Sequence, residues 1–463
     1  MAFGKLGKLG VKGRDEMRDG IEFGKGGRMN RGGEKRGEAK DIDNLGFLRI
    51  LFSSQQEFLK REERRKGGKK KRILPLASDP WLLDNYITAS GHIRLGAIFM
   101  DLDALAGVIS YKHTGDRVMT VTAAVDRITL SRPLLEICDL ELSGQVTFAT
   151  GRSSMEVSLQ VCKVPSAGQE NQPRRKEDVF MECAFTMVSL DPVTKKAMRI
   201  AGVRPEGEVE ESWFERGRKS YEKKKRELGR GLRSMEPDDE ESDLIHRLWL
   251  KTLDYHDPNT PSLLPKTCTR MSNSTIQSVQ IMQPQYRNRH NFMIFGGFLL
   301  KSTFELAFTC ASAISHSRPI FLGLDPSTFE NPVPVGSVLY VSATLVYGDR
   351  PLVRGEGDAE TETETETGKG KKTRVQIRVD TKVKNVEHGE TKPTGQFNYT
   401  FEVEGEVQVL PESYKEFMVY LDARRRSKGR VEERGKERGE GNAEAGMGKD
   451  VLGAGGDGGL KVL

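Results

Sequence analysis

Cysteine is scarce in this chain, with five residues in 463. The number is odd, no two form a C-x-x-C pair, and none has metal-ligand spacing. Free thiols in a reducing compartment are therefore expected, and no metal site. No run of about 18 uninterrupted apolar residues occurs, which leaves no candidate for a membrane-spanning helix. No secretory apolar core opens the chain. A large excess of one charge is also missing. Lys and Arg number 73 against 67 Asp and Glu, a net charge of +6, so the total charge does not call for nucleic acid. Apolar residues make up 36% and charged residues 30%. That is polar for a globular protein, and part of the chain is expected to be tail or linker.

The charge that is present is unevenly placed. "REERRKGGKKKR" (61–72) and "KKKR" (223–226) are dense basic runs. Residues 1–70 are rich in Gly, Lys, Arg and Glu without a sustained hydrophobic period, and are expected to be a disordered basic tail. A local helix is expected within 44–65, with Leu48, Leu51 and Phe52 on one face. A mitochondrial leader should be Arg-rich and poor in acids, whereas Asp15, Glu16, Asp19 and Glu22 stand among the basic residues here.

Ordered structure is expected from "LPLASDPWLLDNYI" onward. In "GHIRLGAIFMDLDALAGVISYKH" (91–113), Ile98, Leu102, Leu105 and Ile109 recur at helical spacing. β-rich runs follow, among them "SMEVSLQVCKV", where Met155, Val157, Leu159 and Val161 alternate. Residues 196–264 change character, to charged helices in a connector. Then the first pattern returns: a strand, the helix "GGFLLKSTFELAFTCASAIS", and further strands. The chain thus reads as an internal duplication of α+β class. One unit spans 73–195 and the other 265–420, the two lying side by side or sharing one continuous sheet. "GEGDAETETETETGKGKK" (355–372) is expected to be a disordered loop, and 423–463 a disordered tail.

Several blocks, in this order, resemble the double-hotdog acyl-coenzyme A thioesterases: "RLGAIFMDLDALAGVISYKH", "GRSSMEVSLQV", "QPQYRNRHNFMIFGGFLL" and "FENPVPVGSVLYVSA". The group most similar is the mitochondrial acyl-coenzyme A thioesterase 9 family. The resemblance covers roughly residues 73–420. It implies two hotdog units, each a long helix wrapped by an antiparallel sheet. It also implies hydrolysis of fatty acyl-CoA to free acid and CoA, no cofactor, homo-oligomers of such protomers, and a mitochondrial location.

Thioester hydrolysis needs a polarised water, stabilisation of the developing oxyanion, and a held substrate. Gly296 and Gly297 open the second helix, where backbone amides lack intrahelical partners and the helix dipole favours negative charge. Their amides are candidates for binding the thioester oxygen. Close packing of a bare backbone explains the same pair equally well. In related enzymes an aspartate on one helix faces the glycine turn of the other half, and Asp103 matches it. Asp101 lies about 200° away around the helix, so the two cannot both face one site. The mirrored position in the second half is Phe304, and the mirrored glycine pair is Leu95 and Gly96. One working site per chain, across the pseudo-twofold, is expected. Asn288 matches the family's water-orienting asparagine, with Asn291 as the alternative in a loop one residue longer than usual. His290 is either a proton acceptor or a loop histidine bonded to backbone. Arg152, Ser153 and Ser154 are candidates for CoA contacts.

Two other classes remain. A hydratase or dehydratase on an acyl thioester would use a His with a carboxylate, for which His290 and Glu305 are the available set. Its product, an enoyl thioester rather than free thiol, distinguishes it. A non-catalytic acyl-CoA binding module would be favoured by loss of Asp103 or Asn288 from the site. Nucleic-acid binding through "GGRMNRGGEKRG" (26–37) rests on one basic tail interspersed with acids and has little support. Acyl chain length and nucleotide regulation are not encoded in any motif.

Overall fold

A computed structural model of the chain describes residues 70–429, apart from 116, 133–135, 150, 165–177, 206, 228–234, 257–262 and 355–371. The expected N-terminal tail with its local helix, the acidic threonine-rich loop, and the chain beyond 429 lie outside the described residues.

The first half runs β1 (Lys70–Leu74), α1 (Pro80–Leu83), α2 (Leu95–Thr114), β2 (Met119–Leu130), β3 (Leu140–Ala149), β4 (Ser154–Lys163) and β5 (Val179–Leu190). Two helices follow, α3 (Glu208–Glu227) and α4 (Asp239–His256). The second half contains β6 (Cys268–Arg270), β7 (Ile276–Ile281), α5 (Gly296–Ser315), β8 (Ile320–Leu324), β9 (Ser327–Thr328), β10 (Val338–Gly348), β11 (Lys372–Lys384), β12 (Thr391–Glu404) and β13 (Gln408–Leu410). A last helix, α6, occupies 414–429.

The duplication closes into one continuous sheet with the order β1-β3-β4-β5-β2-β8-β12-β11-β10-β7. From the central β2–β8 pair outward, each half repeats the same arrangement, so β5 corresponds to β12, β4 to β11, β3 to β10 and β1 to β7. The alternation in β4 is realised: Met155, Val157, Leu159 and Val161 are all buried, as are Val375, Ile377 and Val379 at the matching places in β11. Helix α2 packs on β2 to β5, α5 packs on β7 and β10 to β12, and the two helices pack on each other. Ile98, Leu102, Leu105 and Ile109 are buried, each such side chain contributing roughly 1.5–3 kcal/mol. Asp101 and Asp103 are buried on the same helix, so each must find a polar partner.

Three segments add to the sequence expectations. Lys70, Lys71 and Arg72, the end of the basic run, lie in β1 and pair with β3. Arg72 donates to Asp101, as does the Tyr86 hydroxyl. Helix α4, one of the charged helices expected in the connector, buries Leu244 and Leu248. Residues 423–429, expected to lie in the tail, belong to α6. Its three consecutive arginines account for this. Arg424, buried, pairs with Glu240, Arg425 with Glu241, and Arg426 with Asp422 and Asp325. The Ala423 carbonyl also accepts from Gln376. What reads as a charged tail is a clamp between α6, α4 and the β8–β9 corner.

Candidate active site

Neither long helix has a side-chain cap at its N-terminus. Arg94 precedes α2 and Phe295 precedes α5, and neither side chain accepts from the first turn. One first-turn amide of α5, that of Gly297, is served instead by the other half of the molecule. Asp103 Oδ2 accepts the Gly297 amide at 2.6 Å, and Asp103 Oδ1 accepts the Thr122 hydroxyl at 2.6 Å. The carboxylate is thus a helix cap supplied from α2 to α5.

Both glycines lie close against the other half. A Cβ on Gly297 would lie 3.0 Å from the Met100 Cα and carbonyl oxygen and 2.7 Å from the Phe295 ring, so bare backbone is needed for the helices to meet. A Cβ on Gly296 would lie 3.1 Å from Asp103 Oδ2 and 3.3 Å from Thr122 Cβ, crowding the carboxylate itself. Gly297 also has a polar partner across the halves. Its amide is engaged with Asp103, because the aspartate is the nearest acceptor for an uncapped first turn.

Burial raises Asp103 from the ordinary carboxylate value of 3.8 to about 6, against the opposing pull of the Thr122 and Gly297 hydrogen bonds. A carboxylate so tuned is half-ionised just below neutrality and is a stronger base than a free one. Asp101 is also pushed upward by burial, while Arg72 and Tyr86 draw it down. The two aspartates have separate partner sets, as their angular separation requires.

Thr122 was not singled out from the sequence. In "VMTVTAAVDR" it is one of several strand threonines, and only the register identifies it. A β-bulge between Thr122 and Ala124 interrupts the β2–β5 ladder there, and bulges re-aim side chains.

The related position in the other half is filled differently. Helices α2 and α5 each have 20 residues, and each is followed by a strand after the same gap. Superposed position for position, they set Phe304 opposite Asp103 and Gly323 opposite Thr122. Phe304 is buried edge-to-face against Phe99, Phe321 and Tyr399. Near Gly96 the Arg94 guanidinium pairs with Glu305 at 2.7 Å. Carboxylate, hydroxyl and glycine pair are thus all altered at this end.

Asn288 lies in the loop before α5. Its Oδ1 accepts the His290 amide at 3.2 Å, so its carboxamide is oriented within its own turn. Asn291 sits at φ 62°, the turn position held in the first half by Gly91 at φ 79°. Asn tolerates that conformation, which accounts for Asn291 as a turn residue. The loop is one residue longer than its counterpart: Arg287 bridges Ile294, where Ile87 bridges Ile93. The His290 ring bonds the Tyr111 hydroxyl, while Glu305 bonds Arg94. The histidine and carboxylate of the hydratase reading therefore have different partners. Burial, and then Arg289 and Lys195, hold His290 below the usual histidine value.

The 151–153 turn is held by its backbone. The Arg152 carbonyl accepts from Ile200 and the Ser153 carbonyl from Ser189. Ser189 in turn bonds Thr120 at 3.4 Å, and Thr120 bonds Tyr111. Ser154 starts β4. Arg152, Ser153 and Ser154 therefore sit at the same end of the sheet as His290. Lys195 over Phe292 and Arg289 over Tyr111 add two cations there. No cluster of three or more potential metal ligands occurs among the described residues.

No family model matches the chain. Acyl-coenzyme A thioesterase 9, mitochondrial, of Homo sapiens is 32% identical over 365 residues, covering 76% of this chain and 75% of that protein. Acyl-coenzyme A thioesterase 2, chloroplastic, of Humulus lupulus is 33% identical over 291 residues, 60% of this chain and 64% of that protein. Among solved structures, the 12:0-ACP thioesterase from Umbellularia californica aligns with TM-score 0.38 and 11% identity over 73% of this chain and 94% of that one.

Proposed function

Because the chain belongs to the acyl-coenzyme A thioesterase 9 family and is an acyl-CoA thioester hydrolase, we propose that it hydrolyses fatty acyl-CoA at a single site built from Asp103, Thr122, Asn288 and the first turn of α5. The observation carrying this reading is the buried Asp103 carboxylate, bonded at 2.6 Å to the Gly297 amide of the other half. Ionised Asp103 takes a proton from a water as that water's oxygen attacks the thioester carbonyl. The Asn288 carboxamide orients the water. The developing oxyanion is stabilised at the N-terminus of α5, where the Gly296 amide and the helix dipole favour negative charge. As the tetrahedral intermediate collapses, the C–S bond breaks. The proton on Asp103 passes to the departing thiolate, leaving free acid and CoA.

Arg152, Ser153 and Ser154, with Lys195 and Arg289 beside them, are the groups proposed to meet the phosphates and amides of CoA. The mitochondrial location in the relatives' names is proposed for this chain also. Assembly into homo-oligomers is proposed through the β7 edge, where Val279 and Ile281 are 54% and 56% exposed, an apolar strand edge that isolated proteins avoid. A thiol-release assay on a panel of acyl-CoAs tests the activity. Asp103→Asn should lower turnover on the order of 100-fold or more. An enoyl thioester product without free thiol would overturn the reading in favour of a hydratase.

A further inference from the structure

The loop that carries Asn288 is closed by its own backbone bonds and is also tied to the opposite half. The two side chains that follow Asn288 converge on one residue of the opposite half, Tyr111 of α2. The Arg289 guanidinium lies 4.9 Å from the centre of the Tyr111 ring, and the His290 ring shares a hydrogen bond with the Tyr111 hydroxyl. That hydroxyl accepts the Thr120 amide at 3.0 Å and contacts the Thr120 carbonyl at 3.3 Å. Thr120 is two residues before Thr122 on β2. A continuous path thus runs from Asn288, through the His290 amide and ring, to Tyr111 and on to the strand that holds Asp103.

Among the described residues the other half shows no equivalent path. There Thr88, Ser90 and His92 bond one another within the loop. Ser312 stands where Tyr111 stands in α2, two turns beyond Phe304. The latch therefore exists at the end that has the carboxylate and is missing at the end that has lost it. A tie serving only to hold the halves together would have no reason to follow that asymmetry.

We infer that Tyr111 is a positioning residue for hydrolysis, fixing the Asn288 carboxamide relative to Asp103 through His290. This rests on the reading of Asn288 given above. A displaced catalytic group can lose about 100-fold in rate without loss of substrate affinity.

The test uses the full chain with one acyl-CoA substrate, measuring kcat and KM by thiol release for Tyr111→Phe, His290→Ala, Asn288→Ala and the double variant His290→Ala/Asn288→Ala. Tyr111→Phe removes the hydroxyl but keeps the ring under Arg289. His290→Ala cuts the latch on the loop side and leaves Tyr111 on Thr120, so it stays informative if the helix substitution impairs folding. Each single latch variant is expected to lower kcat about 10- to 100-fold with KM within about twofold. The double variant should be no slower than Asn288→Ala alone, because the latch acts only through Asn288. If Asn288→Ala is impaired but the latch variants are silent, or their losses multiply in the double variant, the latch inference fails and the role of Asn288 stands. If Asn288→Ala keeps full activity, both fail.

Discussion

Asp103→Asn should make the protein more stable while making it a poor enzyme, and the size of the gain should depend on pH in a defined way. A solvated aspartate titrates near 3.8, whereas burial between α2 and α5 raises Asp103 to about 6. The folded state therefore holds this proton more tightly than the unfolded state. Below about pH 4 both states are protonated and the group contributes nothing. Between the two values the unfolded chain ionises first, and folding stability falls as pH rises. Above about pH 6 the full penalty is present, roughly 2 units at about 1.4 kcal/mol each, or about 3 kcal/mol. Asparagine removes the charge and keeps the contacts, its oxygen accepting from Gly297 and its amide facing the Thr122 hydroxyl. Urea unfolding of both proteins, followed by circular dichroism from pH 4 to 8, should show a difference close to zero at the acid end. It should grow toward about 3 kcal/mol in favour of the variant and flatten above about pH 7. A difference independent of pH, or a variant less stable than the parent at pH 8, would refute the reasoning. The two hydrogen bonds, and not burial, would then dominate the carboxylate.

The same titration predicts that kcat/KM falls about tenfold per pH unit below roughly pH 6, since the base must be ionised; a flat profile down to pH 5 would exclude Asp103 as that base. Glu305→Gln should change turnover far less than Asp103→Asn, because Glu305 pairs with Arg94; comparable losses in thiol release would mean that the second end is active. Gly297→Ala should destabilise by about 1–3 kcal/mol through overpacking on Met100, and Gly296→Ala should lose activity out of proportion to its change in melting temperature. Arg424→Met should destabilise by about 1.5–3 kcal/mol, the range for a charged hydrogen bond, read by chemical unfolding, with KM unaffected.

Residues 91–113 and 296–315 announce themselves by helical spacing, and β4 by strict alternation, because burial on one face or both imposes period on any sequence. The duplicated order of helix and strands then fixes which elements are equivalent. Asp103 and the glycine pair are singled out by the resemblance to the double-hotdog thioesterases, and the repeat adds what stands at the mirrored places, Phe304 and the Leu95–Gly96 pair. Thr122, Tyr111 and Arg424 are not legible. Thr122 depends on a bulge, which shifts register without marking composition. Tyr111 and His290 meet across halves, and nothing local to either residue encodes the other. The arginines at 424–426 look like the charged run that follows them, since a buried ion pair and a solvated tail draw on the same residue types. The meeting of the Gly297 amide with Asp103 is not legible either, because a sequence lists donors without showing what lies opposite.

The seam between the halves is narrow. Along it the sheet is joined by Ile128 with Leu324 and Thr129 with Gly323, and then by Ala124 with Thr328 and Val125 with Ser327. The Asp103–Gly297 bond crosses the same boundary. Suppose the chain were divided in the segment between α3 and α4 and the two pieces produced separately. Neither fragment would carry a complete set of reacting groups, and turnover would appear only on their association. The initial rate would then rise with the product of the two fragment concentrations, which would make hydrolysis a direct readout of complementation between them.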